Sequence, residues 1–210
     1  MRLWARVADG SRPALSYNVP HGSARGDLAD RILEAARRLV LRMGARKLSL
    51  SDVATLAGVS RPTIYRYFAS KEDLIDALGA HERRRFGAAM ERAMSGVTGI
   101  ARLEAAVDLV ATFVEDQPPG RQLDLDPGFA QDQMARALPM ITERLMVVLE
   151  QCAREDGFDA AASARDRAGA IARVALSHYM FRESDPAAAR REIRATAGLP
   201  DGRSRMSRSR

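Results

Sequence analysis

Between Lys47 and Lys71 lie the side chains best suited to hold a polyanion: Lys47, Ser49, Ser60, Arg61, Thr63, Tyr65, Tyr67 and Lys71, with Pro62 among them. Ammonium, hydroxyl and phenol groups donate to phosphate oxygens, and a guanidinium can bond two acceptors on one guanine edge. Arg61 is the candidate for a guanine edge, and Thr63 for a thymine methyl or a phosphate. Other chemistry has little to stand on. His21, His81 and His178 are far apart in sequence, Cys152 is the single cysteine, and no pair has metal-ligand spacing. No glycine-rich phosphate loop occurs either. Asp108, Asp116, His178 and Tyr179 could make a catalytic group only if the fold brought them together. The expectation is no enzyme, no cofactor and no metal.

These donors need elements to present them, and the spacing supplies three helix starts. Ser49 with Asp52 and Ser70 with Asp73 each place a capping hydroxyl three residues ahead of an acid, and Ser60 caps again between them. Leu50, Val53, Ala54 and Ala57 make one short inward face, and Gly58 stops it where a chain leaving a helix needs left-handed backbone. The helix after Ser60 takes Pro62 in its first turn, with Ile64 and Phe68 facing inward. Arg61, Thr63, Tyr65 and Tyr67 then face outward, and Arg66 points to a backbone phosphate or to solvent. Leu74, Ile75 and Leu78 continue the core in a third helix. Upstream, Asp27 reads as the cap of a helix carrying Leu28, Ile32, Leu33, Ala36, Leu39, Val40 and Met43, closed by Gly44. Arg31, Arg37, Arg38 and Arg42 read as its solvated face. Helix, glycine turn, helix is the layout of a DNA-reading helix-turn-helix, though a helical hairpin whose tyrosines only cap its core has the same outline.

The runs Asp52-Val53-Ala54, Ala57-Gly58-Val59-Ser60, Thr63-Ile64-Tyr65-Arg66-Tyr67-Phe68 and Ser70-Lys71-Glu72-Asp73-Leu74 resemble the signature of TetR-type transcriptional regulators over residues 27–78. The resemblance implies that the helix opening at Ser60 lies in the major groove, and that Tyr65 and Lys71 hold phosphates. Position 67 is often histidine in that family, so Tyr67 is a departure that keeps a phosphate donor and loses the imidazole. The resemblance further implies a homodimer joined through its last two long helices, and a pocket for a small, often apolar ligand. Ile171, Val174, Ala175 and His178 are then the interface candidates. Phe113, Met134, Met140, Met146, Phe158, Met180 and Phe181 are candidate pocket walls, being adaptable apolar side chains.

Charge is divided along the chain. Residues 1–80 carry 13 Lys and Arg against 8 Asp and Glu, a net of +5; residues 81–200 carry 16 against 18, a net of −2; the last ten carry 4 against 1. A basic N-terminal unit on a near-neutral body fits a local DNA surface better than nonspecific coating. Helical stripes at Leu103-Val107-Val110-Val114, Leu138-Ile141-Leu145-Val148-Leu149 and Ile171-Val174-Ala175-His178 continue to Gly198, with no alternating β pattern. The fold expected is all-α: a flexible arm over 1–25, a three-helix DNA-binding domain over 26–78, a larger helical ligand-binding and dimerisation domain over 79–200, and a disordered basic tail over 201–210. Arg6 and Asp9 interrupt any signal-peptide core, and no apolar run approaches the ~18 residues of a membrane span. The protein expected is a cytoplasmic homodimer that binds double-stranded DNA at a palindrome and is released by a small apolar effector. A ligand-dependent activator, and an interaction protein that does not read DNA, are the alternatives.

Overall fold

The computed structural model describes residues 24–116, 126–157, 163–181, 185 and 187–200, and among these every regular element is helical. Of the arm expected over 1–25, residues 24 and 25 instead open α1 and the rest lie outside the described residues, as do the tail over 201–210 and Phe158. Helices α1 (Ala24–Met43), α2 (Leu50–Ala57), α3 (Arg61–Tyr67) and α4 (Lys71–Ala93) are followed by α5 (Gly99–Glu115), α6 (Pro127–Asp156), α7 (Ala164–Met180) and α8 (Ala188–Thr196). One 3₁₀ turn, Ala45–Lys47, links α1 to α2. No described helix is long and apolar enough to cross a membrane. None of the described His, Cys, Asp and Glu side chains group in a way that could hold a metal ion.

Two apolar cores share one helix. Ile32, Leu33, Val53, Ile64 and Leu74 centre the first, which closes at Leu78; Met90, Leu103, Leu145, Leu149 and Ile171 lie in the second, which α4 enters at Phe86. The division of cores therefore falls inside a continuous helix, and no chain break separates 78 from 79. Asp27, expected as a cap, lies instead in the first turn of α1, three residues past its start, where a carboxylate complements the helix dipole. Gly58 has φ 66° and ψ 39°, the left-handed conformation that favours glycine and ends α2.

The helices of the body are tied together at their ends by charge. Thr98 caps α5 without a side-chain bond, and the far end of α6 supplies the missing acceptors. Glu155 Oε2 accepts from the N–H of Gly99 at 2.5 Å, and Asp156 Oδ2 from that of Ile100 at 2.6 Å. Arg102 Nη1 also bonds Glu155 Oε1 at 2.9 Å. At the opposite end Arg194, with its side chain 6% exposed, donates to Asp108 Oδ1 at 2.7 Å and to the carbonyl of Pro200 at 2.9 Å. Arg190 meets Glu115 at 2.5 Å, so α8 is clamped along α5.

Arg194 is buried, but Asp108 is 40% exposed and keeps Arg190 at 3.4 Å, so Arg194→Leu is expected to cost about 1–2 kcal/mol in urea unfolding followed by circular dichroism. The backbone bond from Gly99, then Arg102, holds the Glu155 carboxyl below its ordinary value of 4.5. A depressed folded-state value contributes stability above pH 4.5 that disappears as pH falls through the folded value. Glu155→Gln should therefore flatten the acid limb of stability against pH, leaving its neutral-to-basic slope unaltered.

Candidate functional site

The three expected caps are in place, and they fix how α3 is presented. Ser49 Oγ accepts from the N–H of Asp52 at 3.1 Å and donates to its Oδ2 at 2.6 Å. Ser60 Oγ accepts from the N–H of Thr63 at 3.2 Å, with the two hydroxyls 2.8 Å apart. Ser70 Oγ accepts from the N–H of Asp73 at 3.0 Å. Ser49 and Ser60 thus serve first as helix starters, with only their spare lone pairs facing outward. Arg31, read from sequence as part of a solvated face, instead crosses from α1 to the carbonyl of Ala57 at 2.8 Å. It closes the C-terminal end of α2 where carbonyls lack partners.

Burying Ile64 and Phe68 leaves Arg61, Pro62, Tyr65 and Arg66 exposed on α3, with Thr63 and Tyr67 half-buried. Tyr65 is 51% exposed. The Arg66 guanidinium stands 5.9 Å from the centre of the Tyr67 ring, a cation–π distance. Lys47 is exposed and Lys71 half-buried beside this face. Lys71 Nζ donates to the carbonyl of Arg46 at 2.7 Å, which pins the start of α4 to the 3₁₀ turn.

The other side of that peptide segment is held by the body. Asp126, 8% exposed, caps α6 by accepting from the N–H of Phe129 at 3.2 Å, and its second oxygen accepts from the N–H of Arg46 at 3.0 Å. Phe129 packs against the helix-turn-helix core and also lines a half-open apolar cavity of about 140 Å³. That volume is close to an engineered apolar cavity of about 150 Å³ that takes benzene. Its wall comes from five helices: α1 through Val40 and Leu41, α4 through Leu78 and Phe86, α5 through Val110 and Phe113, α6 through Met134 and Met140, and α7 through Leu176 and Tyr179. The Tyr179 phenol is pushed up to about 12, by burial first and the Glu82 carboxylate second.

Of the expected wall residues, Phe113, Met134 and Met140 line the cavity. Met146 packs on the body core elsewhere, Met180 is half-buried away from the wall, and Phe181 is 66% exposed. These three leave the set because the cavity lies against Phe129 to Ile141 of α6 and against Ala175, Leu176 and Tyr179 of α7, whereas Met146 is further along α6, Met180 is on another face of α7 and Phe181 follows its end. The α1 and α4 contributions were missed because the chain was divided at residue 78, whereas apolar spacing through Leu78 and Phe86 continues α4. The interface candidates Ile171, Ala175 and His178 are buried within the single chain, in the groove between α5, α6 and α8; only Val174 keeps accessible surface. His178 Nε2 lies 3.0 Å from Glu192 Oε2 on α8, and Asp108 is held by Arg190 and Arg194, so the conceivable catalytic group does not assemble.

Residues 32–78 match the family model described as bacterial regulatory proteins, tetR family. An uncharacterized HTH-type transcriptional regulator of Mycobacterium tuberculosis is 37% identical over 91 residues, 43% of this chain and 45% of that protein. The chain thus spans under half the length of that relative. The HTH-type transcriptional activator FasR of Mycolicibacterium smegmatis is 28% identical over 175 residues, 82% of this chain and 76% of its own. The solved structure of a TetR-family transcriptional regulator from Streptomyces coelicolor superposes with a TM-score of 0.61 at 16% identity, over 82% of this chain and 93% of that one.

Asp126→Ala removes a helix cap and the only hydrogen bond described between α6 and the 3₁₀ turn, so a stability loss of about 1–2 kcal/mol is expected. Hydrogen exchange should localise it: protection of the Arg46 amide falls at least tenfold while that of Val53 in α2 holds. Equal protection in both proteins would show that the carboxylate does not hold Arg46.

Proposed function

We propose that this chain, whose residues 32–78 match the model of the tetR family of bacterial regulatory proteins, is a member of that family and a double-stranded-DNA-binding transcriptional regulator whose trigger is a small ligand in the junction cavity. One observation carries the DNA reading: α3 is capped by Ser60, anchored by buried Ile64, and turns Arg61, Tyr65 and Arg66 outward between Lys47 and Lys71. Tyr65, Tyr67, Lys47 and Lys71 hold phosphates and set register. Arg61 and Thr63 read base edges, since a helix seated in the major groove presents its first turn to them. Ser49, Ser60 and Pro62 stand at helix starts, where backbone N–H groups favour an anion. The relatives described above are named as transcriptional regulators, and none as an enzyme.

The active form is a homodimer that sets its two recognition helices about one duplex turn apart, roughly 34 Å, on a palindrome. A repressor released by its ligand is the primary reading. A ligand-dependent activator is the second, because the relative covering the largest share of this chain among those described is named an activator. Transcription from a bound promoter in the presence and absence of the protein separates the two.

Duplexes recovered by selection from a random pool provide the test. Affinity measured by fluorescence anisotropy across a salt series should fall steeply, and Lys71→Ala should reduce the log–log slope by about 1. Arg61→Ala should relax preference at one base position by about 1–3 kcal/mol. Failure to enrich any duplex would reject DNA reading, and an unchanged slope would take Lys71 out of the interface.

A further inference from the structure

Apart from the Tyr179 phenol on α7, the polar side chains of the junction cavity gather along one edge of α1, α4 and α6: Arg37, Glu82, Arg83 and Gln133. Two of these neutralise each other. Arg37 Nε lies 3.5 Å from Glu82 Oε2, and Glu82 is further met by Arg85 at 3.3 Å. Arg83 is different. It is half-buried, and no described carboxylate lies within ion-pair distance of it. Asp76, the acid whose field reaches it, already bonds Arg136 at 3.0 Å, and Arg136 itself repels Arg83. Burial foremost, then this repulsion, lower the affinity of the guanidinium for its proton, the direction expected of a cation short of a counter-charge.

The backbone makes room for that group. A Cβ added to Gly79, one turn before Arg83 on α4, would lie 3.2 Å from Arg83 Nη1 and 3.1 Å from Gln133 Oε1. The absence of a side chain at Gly79 lets guanidinium and carboxamide converge over one point at the cavity edge. Both groups carry N–H donors, and a planar guanidinium fork matches a carboxylate in particular.

We propose that the junction cavity takes a small amphiphilic monoanion, an apolar body of one ring or a short chain ending in a carboxylate, with Arg83 and Gln133 binding the charged end. This rests on the reading of the cavity as the ligand site, and it adds the charge of the ligand. An apolar body fills the space between Phe113, Met134 and Met140, while the acid supplies the counter-charge that no described carboxylate gives Arg83 at ion-pair distance. Charge-assisted bonds in a partly desolvated site discriminate strongly between an acid and its neutral analogue.

Octanoate and 1-octanol, which share a chain and differ in charge, are the probes. With protein labelled at its methionine methyl groups, NMR titration reads occupancy at Met134 and Met140 directly. Both probes should shift these signals, with octanoate at least tenfold tighter at neutral pH. Arg83→Met should abolish that preference and leave octanol binding within about twofold, whereas Arg83→Lys should retain part of it. Equal affinities in the unaltered protein would overturn the anion inference and leave the cavity as an apolar site. If neither probe moves the Met134 and Met140 signals, the cavity fails as a ligand site and the inference fails with it.

Discussion

Asp126 divides its carboxylate between two bodies. One oxygen starts α6 through the N–H of Phe129, and the other holds the N–H of Arg46 in the 3₁₀ turn before the helix-turn-helix. The carbonyl of the same Arg46 takes the Lys71 ammonium at the start of α4. A single peptide segment is therefore gripped from the body on one side and from the candidate phosphate-binding lysine on the other. Because the carboxylate is buried, losing either bond leaves an oxygen short of a partner, and the geometry is costly to relax by halves.

The second connection is α4 itself. Leu78 closes the first core and Phe86 enters the second, so rotation of α4 cannot be confined to one of them. Both residues also line the junction cavity, beside Phe129 from the capped end of α6. A molecule in that space touches the two links through which the DNA-facing surface is positioned. Contact alone does not make a switch: the ligand has to bind two arrangements with unequal affinity, and each tenfold difference moves their ratio tenfold. A half-open cavity bordered by the two elements that link the cores is a place where such a difference can arise.

Local chemistry was the legible part of the sequence. Ser49, Ser60 and Ser70 announce their helices because a cap is a bond across three residues, and Gly58 announces the turn because its conformation is a property of one residue. The outward set on α3 followed from that register. Bonds across long separations were not legible: Asp126 to Arg46, Glu155 to Gly99 and Arg31 to Ala57 depend on which surfaces meet. The same limit misassigned Ile171, Ala175 and His178, since an apolar stripe reads alike whether it faces the chain's own core or a second copy. Methionine and phenylalanine composition found three of the cavity's walls. It was blind to Arg83, which no described carboxylate meets at ion-pair distance.

Occupying the junction without any ligand tests the coupling most directly. Ala137 lines the cavity on α6, and Ala137→Phe places a ring in that space while leaving every residue of the α3 face intact. Its affinity for a selected duplex, compared with the unaltered protein at one salt concentration, should change at least tenfold if the cavity and the DNA-facing surface are linked through α4 and Asp126. A folded Ala137→Phe protein that binds the duplex with unchanged affinity would contradict that link.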